Sequence, residues 1–274
     1  MLAADVSIAL GLLFIVFFGV GLLIYLALTW QVIARRSKAS TGPEVAGEKD
    51  FGWPEAFLAG VLISFLVLGV VASFLRRSPI RPEEIDLRAN FLLTAFLVFL
   101  VAAVLKLRGL DIDALGGFSK TSLKRALSTG VVLLLAATPL IILAEAIAQK
   151  FFGSGSSRQE IVDLFNASQT IRQRVLIIVL AIVVAPIAEE FIFRFFIYGV
   201  MRRYVGVAFG LLFNAALFAA AHNHWPSALP LFALGVCFTL AYEWSGSILV
   251  SMSMHALFNS VQLVLLAFPS LPEQ

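Results

Sequence analysis

Long apolar segments, each close to the length of a membrane-spanning helix, divide this chain and constrain its fold more than any other feature. A helix needs about 20 mostly apolar residues to cross the hydrocarbon core of a bilayer. The segments of this kind are Val6–Ile33, Pro54–Leu75, Ala89–Leu105, Ala126–Ala148, Arg174–Met201, Val207–His222, Ala228–Tyr242 and Ser247–Phe268. None of them alternates as a strand does. The sequence therefore predicts an all-α, polytopic transmembrane helix bundle of about eight helices.

The composition points to lipid as the solvent. Hydrophobic residues make up 60% of the chain and charged residues 14%, against about 45–50% and about 25% in soluble domains. The net charge of +3 comes from Lys and Arg near the ends of apolar segments, which is typical of membrane-protein loops. No basic stripe interleaved with aromatic residues is present, so we expect a lipid bilayer as partner and no nucleic acid. The single cysteine, Cys237, excludes a disulfide within the chain and a cysteine metal cluster.

The spacing of the polar stretches predicts three parts. Residues 1–53 are expected to form an N-terminal transmembrane helix plus a polar linker, 54–173 accessory transmembrane helices and loops, and 174–268 a C-terminal helix core. The first apolar segment is too long for a cleavable signal and has no basic region before it, so we expect it to remain as a span. A compact chain without an organelle signal favours a prokaryotic plasma membrane.

Three ionisable residues, Glu189, Glu190 and Arg194, interrupt the fifth segment. Each charge at the centre of a spanning helix costs about 2.5–3.5 kcal/mol, which makes such residues functional-site candidates. Glu190 and Arg194 are four residues apart, share a helix face and are expected to pair. Glu189 is turned about 100° away and is left without a local partner, so it is the better candidate for a reactive carboxylate. Pro186 removes a helix hydrogen bond and can admit water beside it.

Two histidines and an asparagine accompany this carboxylate. His222 ends the sixth segment, while His255 and Asn259 are four residues apart on one face of the eighth. At a rise of about 1.5 Å per residue, Glu189 and these three side chains lie roughly 12–24 Å along their helices from the boundary marked by Arg202. Their depths overlap, so we expect them to meet.

This set of side chains suits peptide hydrolysis without a covalent nucleophile. Glu189, helped by a neutral His222, can take a proton from water. His255 and Asn259 are donors of the kind that stabilise a tetrahedral oxyanion. A zinc alternative stays open, with Glu189, His222 and His255 as three ligands and one open position, although the sequence has no HExxH motif. We favour the version without a metal or other cofactor.

Three motifs resemble those of a known family. Residues 189–194 (EEFIFR) fit EExxxR, residues 218–222 (FAAAH) fit FxxxH, and residues 255–259 (HALFN) fit HxxxN. Their order and spacing resemble the CPBP family, which includes the type 2 CAAX prenyl proteases and the bacteriocin-processing, Abi-like enzymes. The resemblance covers roughly residues 174–268 and implies that this part is a catalytic helix core.

The resemblance implies an intramembrane, glutamate-dependent or metallo-type endopeptidase acting on a membrane-associated, prenylated or CAAX-like peptide or protein. It implies that Glu189 and His222 activate water and that His255 and Asn259 form the oxyanion hole. The second glutamate and the arginine of EExxxR would support them. Two other classes remain open: a non-catalytic membrane protein of the same fold, such as a scaffold or bacteriocin self-immunity factor, and a transporter that uses the Glu/Arg cluster.

Overall fold

The computed structural model describes residues 2–39, 50–75, 87–152, 168 and 170–267, and this part of the chain consists of helices and connecting turns without strands. The helices are α1 (Leu2–Ala39), α2 (Trp53–Leu75), α3 (Leu87–Leu107), α4 (Ile112–Gly116), α5 (Leu123–Phe152), α6 (Ile171–Val205), α7 (Val207–Ala221), α8 (Ala228–Ser245) and α9 (Ile248–Ala267). Single 3₁₀ turns at Phe118–Lys120 and Trp225–Ser227 precede α5 and α8.

Among the described helices, seven are long and apolar enough to cross a membrane, and α7 is a shorter apolar helix. The predicted polytopic bundle is therefore confirmed, and the chain is an integral membrane protein. Most helices extend a few residues beyond the apolar segment that predicted them. Hydropathy marks the hydrocarbon core of the bilayer, whereas backbone hydrogen bonding continues into polar residues at its boundary. The sequence also favours a short interfacial helix at Glu160–Ala167, and these residues lie outside the described ones. The three-part division of the chain stays a prediction.

Helix α8 forms the centre of the bundle. Within its apolar span 61% of the residues are buried inside the protein, against 11% in α1, α2 and α3. It packs against α1, α5, α7 and α9. Between α7 and α8 the approach is close, since a Cβ added to Gly235 would lie 3.1 Å from the Cα of Ala215. Small residues at such crossings let helix backbones pack tightly in membranes.

Helix α6 is the longest apolar helix after α1 and departs from regular α geometry in two places. Its turns widen to π geometry at Leu180–Val184 and again at Glu190–Tyr198, with a short α segment, Ala185–Glu189, between them. Pro186 lies in the first turn of that α segment. Widened turns of this kind are frequent at functional sites, and here they lie next to the two glutamates.

Candidate active site

The glutamates of α6 lie where the helix passes from α to π geometry. The N–H of Ala185 donates to the carbonyl of Leu180, five residues back, and regular α geometry resumes over Ala185–Glu189. The second widened stretch begins at Glu190, which is fully buried, whereas Glu189 remains 28% exposed. The two adjacent carboxylates therefore face different surroundings.

Glu190 and Arg194 form the ion pair that their spacing predicts. Arg194 Nη1 lies 3.0 Å from Glu190 Oε1, and both side chains are fully buried. The guanidinium carbon also lies 4.0 Å from the ring centroid of Phe218 and 5.2 Å from that of Phe238. No acceptor in the described part of the chain is aligned with its N–H groups. The opposite charge and the two ring faces therefore offset the cost of burying this cation.

His255 of α9 bonds one of the two glutamates and lies close to the other. Its Nδ1 lies 2.9 Å from Glu190 Oε1, and because a carboxylate only accepts, Nδ1–H is the donor. The ring is 4% exposed and stacks on Phe238 with 4.9 Å between centroids. A Cβ at Gly130 of α5 would lie 3.1 Å from the backbone nitrogen of Met254, so the α5 backbone packs directly against this turn of α9. These contacts direct His255 Nε2 towards Glu189.

His222 is the C-terminal cap of α7, and its ring is oriented by the end of that helix. Nδ1 lies 2.7 Å from the carbonyl oxygen of Phe218, so Nδ1–H donates to it. That carbonyl is one of the last four of α7, which have no regular partner within a helix. In the neutral ring Nε2 then carries the lone pair. It lies 3.9 Å from Glu189 Oε2.

The turn that follows His222 is attached to α2. Asn223 has a φ of 51°, the left-handed conformation that often ends a helix and that Asn tolerates. Its Oδ1 lies 2.8 Å from the hydroxyl of Ser73, and the rings of Trp225 and Phe74 are 4.7 Å apart. The position of His222 therefore depends on α2 as well as on α7.

Glu189, His222 and His255 come together from three helices. Glu189 Oε2 lies 3.9 Å from Nε2 of each histidine. This distance is too long for a direct hydrogen bond, and it is within the span of about 5–6 Å that one water molecule can bridge. Within the described residues this oxygen accepts no hydrogen bond. Glu189 and His222 are 28% and 25% exposed and His255 only 4%, so the first two line the open side of the cluster.

Asn259, the fourth residue predicted for the site, makes its hydrogen bond elsewhere. It shares a face of α9 with His255, as the spacing predicts, and its Nδ2 donates to the carbonyl oxygen of Ala181 at 2.8 Å. Ala181 precedes Glu189 by eight residues, roughly 12 Å along α6. An amide nitrogen carries two hydrogens, so one of them is committed to this carbonyl.

The three converging side chains are also those predicted to hold a zinc ion if one is bound. Zinc binds imidazole nitrogen and carboxylate oxygen at about 2.0–2.2 Å, and the chemical types of the donors suit it. In the described part of the chain, however, no three or more His, Cys, Asp or Glu side chains are grouped as a metal site. We therefore assign no step of a reaction to a metal.

Phe218 organises the cluster, and sequence reasoning assigned it no role. Its ring centroid lies 4.6 Å from that of His222 and 5.9 Å from that of His255, and its ring faces the Arg194 guanidinium. The spacing of four residues between Phe218 and His222 was the available signal, because such residues share a helix face.

Comparison with known proteins concerns the part of the chain that carries this cluster. Residues 171–261 match the family described as type II CAAX prenyl endopeptidase Rce1-like. A curated relative, the membrane-embedded CAAX protease MroQ of Staphylococcus aureus (strain USA300), is 31% identical over 83 residues, which are 28% of this chain and 34% of the relative. The chain thus spans about a third of the length of the curated relative it matches. No solved structure matches it significantly.

Proposed function

Residues 171–261 belong to the Rce1-like family of type II CAAX prenyl endopeptidases, and from this premise we propose that the protein is an intramembrane endopeptidase whose water is activated by Glu189 and His222. One observation carries the proposal: Glu189 Oε2 lies 3.9 Å from the Nε2 atoms of His222 and His255. A carboxylate and an imidazole lone pair both accept hydrogen bonds. One water molecule can therefore donate a hydrogen to each and keep an oxygen lone pair free.

In the first step the water oxygen attacks the carbonyl carbon of the scissile peptide bond. One water proton passes to Glu189, which acts as general base. The other hydrogen stays on the water oxygen and donates a hydrogen bond to His222 Nε2. The hydrogen bond from His222 Nδ1 to the Phe218 carbonyl at 2.7 Å keeps Nε2 in the accepting form. A C–O bond forms, and the former carbonyl oxygen becomes an oxyanion.

The oxyanion needs hydrogen-bond donors in a site that excludes bulk water. His255 Nδ1–H already donates to Glu190, so its Nε2 carries a hydrogen only when the ring is an imidazolium. Asn259, the other donor that the motif predicts, has one amide hydrogen committed to the Ala181 carbonyl, and we assign the contact with the oxyanion to His255 alone.

In the second step the tetrahedral intermediate collapses and the C–N bond breaks. Protonated Glu189 returns its proton to the leaving amine nitrogen, so the same group acts first as base and then as acid. The products are a new carboxylic acid and a new amine, which become a carboxylate and an ammonium group when the proton of the acid passes to the amine through solvent, and Glu189 is again ionised. Glu190 and Arg194 take no part in these proton transfers and support the orientation of His255.

The depth of the cluster supports a substrate that is itself held in the membrane. Glu189 lies roughly 27 Å along α6 from Ile171 and roughly 24 Å from Val205, that is, near the middle of the span. The relative's name describes a CAAX protease. We propose a membrane-associated protein or peptide with a lipidated, CAAX-like end as substrate, and a prokaryotic plasma membrane as location.

The test is cleavage of quenched fluorescent peptides with a farnesylated C-terminal cysteine motif by the purified protein in liposomes. Glu189→Gln preserves the size of the side chain and removes the base, so we expect kcat to fall by about 10²–10⁴-fold. Glu145→Gln on α5, where Glu145 bonds Gln149, is the matched control and should cleave as the wild type does. Equal turnover by Glu189→Gln in a correctly folded protein would reject the proposal. A wild type without any cleavage would favour a non-catalytic protein of this fold.

A further inference from the structure

We infer that Asn259 is a positioning residue that acts through the carbonyl group of Ala181, which Pro186 leaves without a backbone donor. The expected effect on kcat rests on the proposed endopeptidase function. The hydrogen bond itself rests only on the contact between α9 and α6. It assigns to Asn259 a role in fixing α9 against α6, in place of contact with the reacting oxygen.

The free carbonyl follows from the register of α6. At the end of the first widened stretch, the N–H of Ala185 donates five residues back, to Leu180. The next donor in that register, for the carbonyl of Ala181, would be the N–H of residue 186. Residue 186 is Pro186, which has no backbone N–H. A carbonyl in this position therefore needs a donor from outside its own helix.

Asn259 supplies that donor. Its Nδ2 lies 2.8 Å from the Ala181 oxygen, a normal hydrogen-bond length, and Ala181 is buried. Unsatisfied backbone groups are costly where water is scarce, and in membrane helices the groups that a proline frees are taken up by neighbouring helices or side chains. The hydrogen bond thus gives the Ala181 carbonyl a donor and holds α9 at a fixed position along α6.

A second hydrogen bond four residues earlier on α9 completes the attachment. His255 donates to Glu190 of α6 at 2.9 Å, and Asn259 donates to Ala181 of the same helix. Two bonds on one helix face fix both the rotation and the height of α9 relative to α6. They thereby hold His255 Nε2 at 3.9 Å from Glu189 Oε2. Loss of the Asn259 bond therefore makes the position of His255 less fixed, although the chain still carries every reacting side chain.

A double-mutant cycle between Asn259→Ala and Pro186→Ala tests the inference. Pro186→Ala provides a backbone N–H that can bond the Ala181 carbonyl, which makes the Asn259 amide dispensable. Asn259→Ala alone should lower kcat by about 10- to 100-fold, within the range of coupled pairs, with little change in KM. In the Pro186→Ala background the same change should cost less than about 3-fold. An equal loss in both backgrounds would mean that Asn259 meets the oxyanion directly and would overturn the inference.

Hydrogen–deuterium exchange of the segment 177–190 gives a readout that needs no activity. Exchange should rise in Asn259→Ala and return towards the wild-type level in the double variant. The same rise with and without Pro186→Ala would also overturn the inference, even in a protein that cleaves nothing. Asn214→Ala is the control, because Asn214 makes a comparable buried hydrogen bond to Thr239 on α8 at 3.3 Å. The changes in exchange caused by Asn214→Ala and by Pro186→Ala should be additive.

Discussion

Nδ1 of His222 donates a hydrogen bond to the carbonyl oxygen of Phe218, four residues earlier on α7, at 2.7 Å. This bond uses a carbonyl that the end of the helix leaves free and decides which nitrogen of the imidazole accepts. Nε2 consequently presents its lone pair to the space beside Glu189, 3.9 Å from the carboxylate oxygen. The end of one helix thus orients a histidine lone pair towards a carboxylate of another.

We expect His222→Ala to lower kcat about 10²-fold, the lower end of the contribution of a group that positions a transferred proton. KM should change little, because the imidazole acts on water and not on substrate binding. Steady-state cleavage of the quenched peptide measures both constants. His224→Ala is the control, since His224 bonds Ser227 and lies outside the cluster. Similar kcat values for the two variants would contradict the role of His222.

Arg194→Met should destabilise the protein by about 3–5 kcal/mol, because removal of one partner of a buried pair leaves the other charge without compensation. Glu190 would be that charge, with its carboxylate 3.0 Å from the missing guanidinium. Unfolding by SDS titration in mixed micelles gives the free energy of unfolding.

The double variant Glu190→Gln/Arg194→Met removes both charges and should recover a large part of that loss. It also weakens the bond to His255, so we expect stability to return without full activity. A double variant less stable than the sum of both single variants would show that the pair is not the source of the destabilisation.

Phe218→Leu should lower the free energy of unfolding by about 1–2 kcal/mol, since the ring face 4.0 Å from the Arg194 guanidinium is lost. A cation–π contact contributes about 0.5 kcal/mol where it is exposed to solvent and about 2 kcal/mol where it is desolvated. The backbone carbonyl that orients His222 remains, so activity should decline less than in His222→Ala. Phe213→Leu, a half-buried position on the same helix, is the matched substitution. Equal losses at positions 213 and 218 would assign the effect to ring size alone.

Chelation tests the metal-free reaction. After incubation with 1,10-phenanthroline and desalting, we expect the protein to retain its cleavage rate, because the proposed steps use only Glu189, His222 and His255. Elemental analysis of the purified protein accompanies the assay. Loss of activity that zinc restores would instead make those three side chains metal ligands.

Local patterns in the sequence determined several features before any packing was known. The number and position of the spans follow from hydropathy, since each apolar segment must match the thickness of the bilayer. The pairing of Glu190 with Arg194 and the shared face of His255 and Asn259 follow from a spacing of four residues in a helix. Such features depend on one helix at a time, so the order of residues suffices to predict them.

Tertiary structure alone decided which groups meet across helices. His255 bonds Glu190 through Nδ1 while its Nε2 faces Glu189, and Asn259 bonds the Ala181 carbonyl. These partners depend on how far α9 is rotated against α6 and on the widened turns around Pro186, which change the register that a regular helix would predict. Lateral packing and helix irregularity leave no periodic trace in the sequence. For this physical reason the sequence predicted which spans carry the four polar side chains, and it could not predict the bonding partners of those side chains.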